Sequence, residues 1–242
     1  MLPPAALLLA AAGIASVGDD AAPVVGAAQG LHTPPAPGPC ACADKLLCLP
    51  LQTAPPATEI FAFSRGPGNG GYFSYDWGAV TSVAFDPASI SNATLRNASV
   101  CWAHQHNARV ILSARGPWSP GAPGSQAARD YESLVVTNAT MRKAYIAEEL
   151  ARVWSAGADG LNFDIEGAEG VPNNTAAGLV RLFKELREAS LAFGFKHFQV
   201  SLDNPIYPGQ PQLAIAYNLT GLAEHIDFFM PMGYDMNGSH VQ

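Results

Sequence analysis

The chain has 242 residues, of which 48% are hydrophobic and 14% are charged, and its formal net charge is −7. This composition fits one globular domain with a sizeable core. The acidic balance argues against nucleic acid or an anionic membrane surface as a partner, and no apolar run after the N-terminal leader is long enough to predict a transmembrane helix.

The N-terminal region is predicted to lie outside the folded domain. Residues 1–18 have an apolar core followed by small residues, which predicts a signal peptide. Residues 19–39 are rich in Ala, Pro and Gly and predict a linker or disordered segment. The predicted domain therefore covers residues 40–242.

The chain has six Asn-x-Ser/Thr sequons, which is more than chance provides in a chain of this size. Their number favours a secreted or lysosomal protein. Asn237 is left out of the expected glycosylation sites because a glycan there would crowd the last motif of the chain. The expected sites are Asn92, Asn97, Asn138, Asn173 and Asn218.

The four cysteines predict a disulfide that ties the N-terminal segment to the domain. Cys40, Cys42 and Cys48 cluster before the first predicted strand, and Cys101 stands alone in a helical stretch. Four cysteines admit three connectivities, so the pairing stays open. Zinc binding by the cluster is the alternative, although no His lies near it with ligand spacing.

Strand and helix patterns alternate through the rest of the chain, which predicts a parallel sheet with right-handed crossovers. A (β/α)8 TIM barrel of class α/β is favoured over a flat doubly wound sheet, because the first unit has no Gly-rich phosphate loop. About the first six strands of eight are visible. The predicted strands are 59–64, 79–85, 108–113, 160–166, 197–203 and 226–232, and the predicted helices are 94–107, 141–154 and 175–193.

The fourth predicted strand carries the most informative segment, Asp159-Gly-Leu-Asn162-Phe-Asp164-Ile-Glu166. Side chains alternate along a strand, so Asn162, Asp164 and Glu166 share one face and the apolar residues between them share the other. Carboxylates and an amide buried together are costly unless they have partners or a function. The spacing therefore predicts a functional site at the C-terminal end of this strand, where barrel enzymes keep their sites.

This segment resembles the Asp-x-x-Asp-x-Asp-x-Glu signature of glycoside hydrolase family 18, the chitinase and chitobiase superfamily. Asp159, Asp164 and Glu166 match the signature, and Asn162 replaces its second Asp.

A second family feature, Met232-Gly-Tyr234-Asp235, ends the last predicted strand. Within the family the resemblance is to the chitobiase branch. That branch shares the Asn in the signature, a Cys-x-Cys…Cys-x-Pro opening, an Asp-Trp pair and a Tyr-Asn-x-Thr-Gly stretch, which correspond here to residues 40–50, 76–77 and 217–221. The resemblance covers about residues 40–242.

The resemblance implies a glycosidase that cleaves β-1,4-linked N-acetylglucosamine, in a chitobiose core or a chitooligosaccharide, by a substrate-assisted retaining mechanism. It implies Glu166 as general acid and later base, Asp164 as acceptor for the acetamide N–H, and Tyr234 as donor to the acetamide oxygen. No metal and no organic cofactor are implied. A secreted or lysosomal monomer is expected.

The remaining candidates surround these catalytic residues. Asp159 and Asn162 are expected to lie below Asp164, and Asp235 is expected to contact sugar hydroxyls. Trp77 and Trp118 are candidates for stacking on a sugar ring, with a structural role favoured for Trp77. The candidate substrate-binding residues are Asp159, Asn162, Asp203, Asn204, Met232 and Asp235.

Two other functions stay open at this point. The sequence does not separate exo from endo cleavage, or chitin from an N-glycan core. A chitin- or glycan-binding lectin on the same fold is one alternative, which the presence of Glu166 disfavours. An inactive truncated product is the other, because six strands leave two sheet edges unpaired and no late Trp is visible.

Overall fold

A computed structural model describes residues 45–67, 71–85, 92–119, 122–165, 172, 174–205 and 217–232 of the chain. The predicted signal peptide (1–18) and linker (19–39) lie outside these residues, and so do the predicted sites Glu166, Tyr234, Asp235 and Asn173.

The described residues form one six-stranded parallel sheet in which the strands follow chain order from β1 to β6. Sequential order with parallel pairing is the arrangement of a (β/α) barrel, since each crossover places the next strand beside the last. The strands are β1 (Phe61–Phe63), β2 (Ser82–Ala84), β3 (Arg109–Ser113), β4 (Gly160–Asp164), β5 (Gln199–Pro205) and β6 (Phe228–Met232).

Helices lie between the strands and cover one face of the sheet. The two longest, α3 and α4, precede and follow β4 in the chain. The helices are α1 (Ala93–Gln105), α2 (Gln126–Glu132), α3 (Ala139–Ser155), α4 (Thr175–Phe193) and α5 (Leu219–Leu222). Within the described ranges, none of them is long and apolar enough to cross a membrane.

The two faces of the sheet differ in polarity. Residues such as Val110, Leu161 and Leu202 face the helices and are fully buried in the core. The opposite face curls around an interior, because Ser82 Oγ of β2 reaches Gln199 Oε1 of β5 at 3.1 Å, across two intervening strands. The predicted fold class is confirmed: the strands form a curled half-barrel, a partial (β/α)8 fold.

The edge strands β1 and β6 also approach each other on the interior side. The rings of Phe61 and Phe228 lie edge to face with centroids 5.6 Å apart. Since these two residues begin the first and the sixth strand, this contact shows how strongly the sheet is rolled at its N-terminal end.

A repeated hydrogen bond joins the strands in pairs. The residue before each even-numbered strand has a side chain that accepts from the backbone of the preceding strand or the residue just before it. The corresponding residues before β3 and β5 are Ala108 and Phe198, whose side chains cannot accept. The three bonds are Ile60 N to Thr81 Oγ1 (2.7 Å), Val110 N to Asp159 Oδ2 (2.7 Å) and Val200 N to Asp227 Oδ2 (2.6 Å).

The N-terminal segment is attached to this framework by disulfide chemistry. Both described cysteines, Cys48 and Cys101, are disulfide-bonded. A sulfur in a disulfide is not a thiolate ligand, so these two do not support the zinc alternative. Gly157, with φ of 66°, passes so close to the Cys48 carbonyl that a Cβ would overlap it.

The predicted elements agree with the structure except in three places. The strands β1 and β2 have three residues each and are shorter than expected. The helix α2 and the π-helical turn Ser133–Thr137 that follows were not predicted, and neither was the short helix α5. Ser125 begins α2 by accepting from Ala128 N, a capping signal that the preceding Pro/Gly-rich run obscured.

Candidate active site

The C-terminal half of the barrel interior contains a buried polar cluster built from β4 and β5. Both N–H groups of Asn162 are used: Nδ2 donates to Ser201 Oγ and to Asp203 Oδ1, each at 3.0 Å. Asn162 is 2% exposed and Asp203 is 6% exposed. The prediction that Asn162 lies on the interior face is confirmed, and Asp203 belongs to the same cluster.

Asp164 ends β4 on this interior face, two residues after Asn162. Its register partner on β5 is Asp203, so two carboxylates occupy neighbouring strands at one level. Partial burial raises the pKa of the Asp164 carboxyl. Asp164 accepts no hydrogen bond from the described residues, which leaves its oxygens available to a ligand.

The end of β4 is fixed by a tyrosine from the stretch that follows β5. Tyr217 Oη donates to the Ile165 carbonyl at 2.6 Å, and Asn218 begins α5 by accepting from Gly221 N. The sequence singled out this Tyr-Asn-x-Thr-Gly stretch only as a family likeness. Its structural role is to hold the backbone between Asp164 and Glu166.

The structure corrects the expected place of Asp159. Its carboxylate is 1% exposed and lies at the opposite end of β4 from Asp164. Oδ1 accepts from Leu51 N at 2.6 Å, and Oδ2 contacts Val110 N and His104 Nε2 at 2.7 and 2.9 Å. Asp159 therefore joins the N-terminal segment, α1 and β3, and it does not lie beneath Asp164.

The buried His104 ring is the remaining partner of Asp159. Its Nδ1 lies 2.9 Å from the Leu47 carbonyl oxygen, which can only accept, so Nδ1 carries a proton. Gly160, the next motif residue, is required where β5 approaches: a Cβ there would overlap the Gln199 carbonyl. The first half of the motif is thus structural.

Strand alternation places the predicted residues Met232 and Asn204 on different faces of the sheet. Met232 shares the interior face with Phe228, at the mouth end of β6. Asn204 follows Val200 and Leu202 on the helix-facing side of β5, whereas Asp203 is on the interior face. Substrate contact by Asn204 stays a prediction.

The two tryptophans considered for stacking are buried, whereas Phe63 is exposed on the interior face. Trp77 donates from Nε1 to the Tyr72 carbonyl, and Trp118 donates to the Ala114 carbonyl. Phe63 ends β1 on the interior face and is 58% exposed. The sequence shows a phenylalanine in a short strand there, but its exposure depends on the curl of the sheet.

Three of the sequon asparagines begin helices, and all of these side chains are exposed. Asn92, Asn138 and Asn218 each accept a backbone N–H through Oδ1, which leaves Nδ2 as the atom available for a glycan. Asn97 is exposed on α1, and Asn173 lies outside the described residues.

No group of three or more His, Cys, Asp or Glu side chains within the described ranges has the arrangement of a metal site.

Comparison with known proteins gives a consistent result. The profile of "Glycosyl hydrolases family 18" matches residues 49–242. Di-N-acetylchitobiase of Mus musculus is 29% identical over 202 residues, which are 82% of this chain and 47% of that protein. Probable di-N-acetylchitobiase 2 of Dictyostelium discoideum is 29% identical over 196 residues, which are 81% of this chain and 44% of that protein. The chain thus spans about half the length of the curated relatives it matches.

Solved structures show the same fold. Catalytic domain 2 of the Group II chitinase of Ostrinia furnacalis matches with a TM-score of 0.55 at 19% identity, covering 74% of this chain and 51% of that one. The Group IV chitinase of the same insect, in complex with allosamidin, matches with a TM-score of 0.53 at 17% identity, covering 75% and 52%.

Proposed function

The chain belongs to glycosyl hydrolases family 18, and from that premise we propose that it is a glycosidase that cleaves β-1,4-linked N-acetylglucosamine by a substrate-assisted, retaining mechanism. The observation that carries the proposal is the end of β4. There Asp164 faces the barrel interior with a raised pKa and with no hydrogen bond from the described residues.

The reaction needs an acid for the leaving oxygen and a nucleophile for the sugar carbon. Glu166 protonates the glycosidic oxygen as the bond to the anomeric carbon breaks. The acetamide oxygen of the same sugar attacks that carbon and forms a cyclic oxazolinium ion. Glu166 then takes a proton from water, which opens the ring from the face that the leaving group occupied, so the configuration is retained.

Two neighbours assist the acetamide group. Asp164 accepts from the acetamide N–H, which favours the positive charge that develops on the ring. Tyr234 donates to the acetamide oxygen and holds it in position for attack, an orientation effect worth several kcal/mol in such reactions. Asp235 contacts sugar hydroxyls beside them.

The interior face supplies the walls of the sugar subsite. The exposed ring of Phe63 offers an apolar face to a sugar, and Met232 lines the interior face at the mouth. Asn162 lies deeper on β4 and hydrogen-bonds to Asp203, which is the neighbour of Asp164 on β5. The names of the matched relatives favour a chitobiose-type substrate over other N-acetylglucosamine polymers.

The direct test replaces the general acid. We expect Glu166→Gln to lower turnover of a fluorogenic N-acetylglucosamine disaccharide at least about 10²-fold, the usual scale for general acid catalysis, while binding persists. Glu188→Gln, on the exposed surface of α4, is the matched control and should keep normal turnover.

Unchanged turnover in Glu166→Gln would remove that residue from its role. Saturable binding without hydrolysis by the native chain would favour the lectin alternative.

A second test addresses the acetamide group. A thiazoline analogue of N-acetylglucosamine resembles the cyclic intermediate and should inhibit strongly. A disaccharide with a hydroxyl in place of the acetamide lacks the nucleophile and should not be cleaved. Inverted product, or a trapped ester on a protein carboxylate, would contradict the mechanism.

The same proposal includes a secreted or lysosomal location and a monomeric state. The disulfides at Cys48 and Cys101 are typical of an oxidising compartment. The exposed sequons at Asn92, Asn97 and Asn138 are open to a glycan. Three measurements on cultured cells test the location, the glycans and the monomeric state. They are detection of the protein in the medium or in lysosomes, the mass lost on endoglycosidase treatment, and the size of the native protein in solution.

A further inference from the structure

The Asn162 amide is oriented by its partners on β5. Asp203 Oδ1 accepts from Asn162 Nδ2 at 3.0 Å, so the Nδ2 end of Asn162 faces β5. Ser201 Oγ accepts the second N–H. Both hydrogens are therefore directed at β5, and Asn162 Oδ1 points away from it, with no hydrogen bond to any described residue.

Asp164 shares the interior face with Asn162 on one strand and with Asp203 across the strand pair. Strands in a sheet lie about 4.8 Å apart, so register partners on one face are close neighbours. The Asp164 carboxyl thus has an amide oxygen along its own strand and a second carboxylate on the next.

We propose that Asp203 is a positioning residue for Asp164: it holds the Asn162 amide so that an oxygen, and not an N–H group, is left on the face that Asp164 occupies. An amide oxygen can bind only the protonated form of a neighbouring carboxyl. The negative charge of Asp203 acts in the same direction, since a like charge disfavours ionisation. Asp164 therefore holds its proton at rest and passes it to water when the acetamide N–H arrives.

The other groups around Asp164 do not supply this effect within the described residues. Burial raises the pKa of Asp164 whether or not Asp203 is present. Arg109, the charged interior residue of β3, lies at the opposite end of that strand. The nearby interior residues Ser113, Met230 and Met232 carry no charge. Glu166, Tyr234 and Asp235 are titratable groups that follow β4 and β6 and lie outside the described residues.

The test measures the titration of Asp164 itself and so does not require activity. Aspartate labelled with ¹³C at the carboxyl carbon is incorporated into the chain, and the Asp164 signal is assigned by its loss in Asp164→Asn. We expect Asp203→Asn to lower the pKa of Asp164, because the charge is removed and the Asn162 amide is free to rotate. Ser201→Ala, which removes the uncharged acceptor alone, should leave that pKa in place.

A second variant covers the case in which Asp203→Asn does not fold. The double change Asn162→Asp with Asp203→Asn keeps one carboxylate and one amide in the same pair but moves the charge onto β4. The pKa of Asp164 should then rise above that of the native chain. An unchanged Asp164 titration in either folded variant overturns the inference and assigns Asp203 a purely structural role.

The consequence for catalysis rests on the proposed function, and the two fail in different ways. With a fluorogenic N-acetylglucosamine disaccharide, Asp203→Asn should move the acid limb of the pH–activity profile to lower pH. Hydrolysis by the native chain with an unmoved limb and an unmoved titration overturns the inference alone. A moved titration in a chain that never hydrolyses the disaccharide overturns the proposed function and leaves the Asp203 assignment standing.

Discussion

The two ends of β4 place the same residue type in opposite circumstances. Asp159 is sealed and accepts from two backbone N–H groups, with His104 against it. Asp164, five positions later, opens into the barrel interior and accepts nothing from the described residues. A carboxylate whose acceptor sites are filled by the protein stabilises the fold, whereas one that is left unfilled is available for chemistry. One motif thus serves both purposes.

Removing the sealed carboxylate should have the largest effect on stability. Asp159→Ala leaves the backbone N–H groups of Leu51 and Val110 and the His104 ring without their partner, and each buried donor left unsatisfied costs about 1–3 kcal/mol. Chemical denaturation followed by circular dichroism measures the free energy of unfolding.

The matched control is Asp227→Ala. Asp227 makes the corresponding bond to Val200 N and pairs with Arg187, but its side chain is 37% exposed. Water can replace its contacts, so a smaller loss is expected. An equal loss in the two variants would show that burial does not separate these aspartates.

Replacing Asn138, an exposed asparagine that caps a helix, should affect stability less than Asp159→Ala and more than Asp164→Asn. Asn138 begins α3 by accepting from Met141 N at 2.9 Å. In a host that adds no glycans, Asn138→Ala should lower the free energy of unfolding by about 1 kcal/mol, the usual value of an N-cap. Thr140→Ala destroys the same sequon without touching the cap and should leave stability unchanged.

In a glycosylating host both of these variants lose the glycan, but only Asn138→Ala also loses the cap. Thermal unfolding of Asn138→Ala and Thr140→Ala, each made in both hosts, separates the contribution of the glycan from that of the cap. A Thr140→Ala protein that is as unstable as Asn138→Ala in the glycan-free host would contradict the capping role.

Replacing Asp164 should have the smallest effect on stability, and this replacement should raise the free energy of unfolding where the others lower it. Because the pKa of Asp164 is raised in the folded chain, its contribution to stability is present below the unfolded pKa and is lost as pH rises through the folded pKa. Asp164→Asn should therefore be as stable as the native chain, or slightly more stable, near neutral pH. The difference should vanish at acidic pH, where both side chains are neutral.

Unfolding measured across pH tests this prediction alongside turnover, which Asp164→Asn should reduce. A variant that is clearly less stable at neutral pH would place Asp164 with the structural carboxylates.

The sequence predicted what depends on periodicity and missed what depends on curvature. The helix α4 matches its predicted bounds because its apolar spacing and the closing Gly194 are local signals. Asp159 was misplaced because the motif was taken as one unit, although alternation along the strand already puts it on the face opposite Asn162. The bond from Asn162 to Asp203 requires the register of β4 on β5, which no local pattern specifies.

The exposure of Phe63 was missed for a related reason. A phenylalanine in a short strand is ordinarily core, and only the rolled sheet turns this one toward an open interior. The polar residues of the site were visible in the sequence because burying them is costly, while its aromatic wall carries no such signal.

The hydrogen bonds that precede the even-numbered strands bear on how the sheet comes apart. Thr81, Asp159 and Asp227 join β1 to β2, β3 to β4 and β5 to β6. Local opening follows the weakest boundaries, and cooperative units tend to coincide with supersecondary motifs. Amide exchange should therefore occur first along the junction of β2 with β3, because the junction of β4 with β5 is also bridged by the two hydrogen bonds of Asn162. The second junction crosses the cluster of Asn162 and Asp203, so the candidate site lies where two of these units meet.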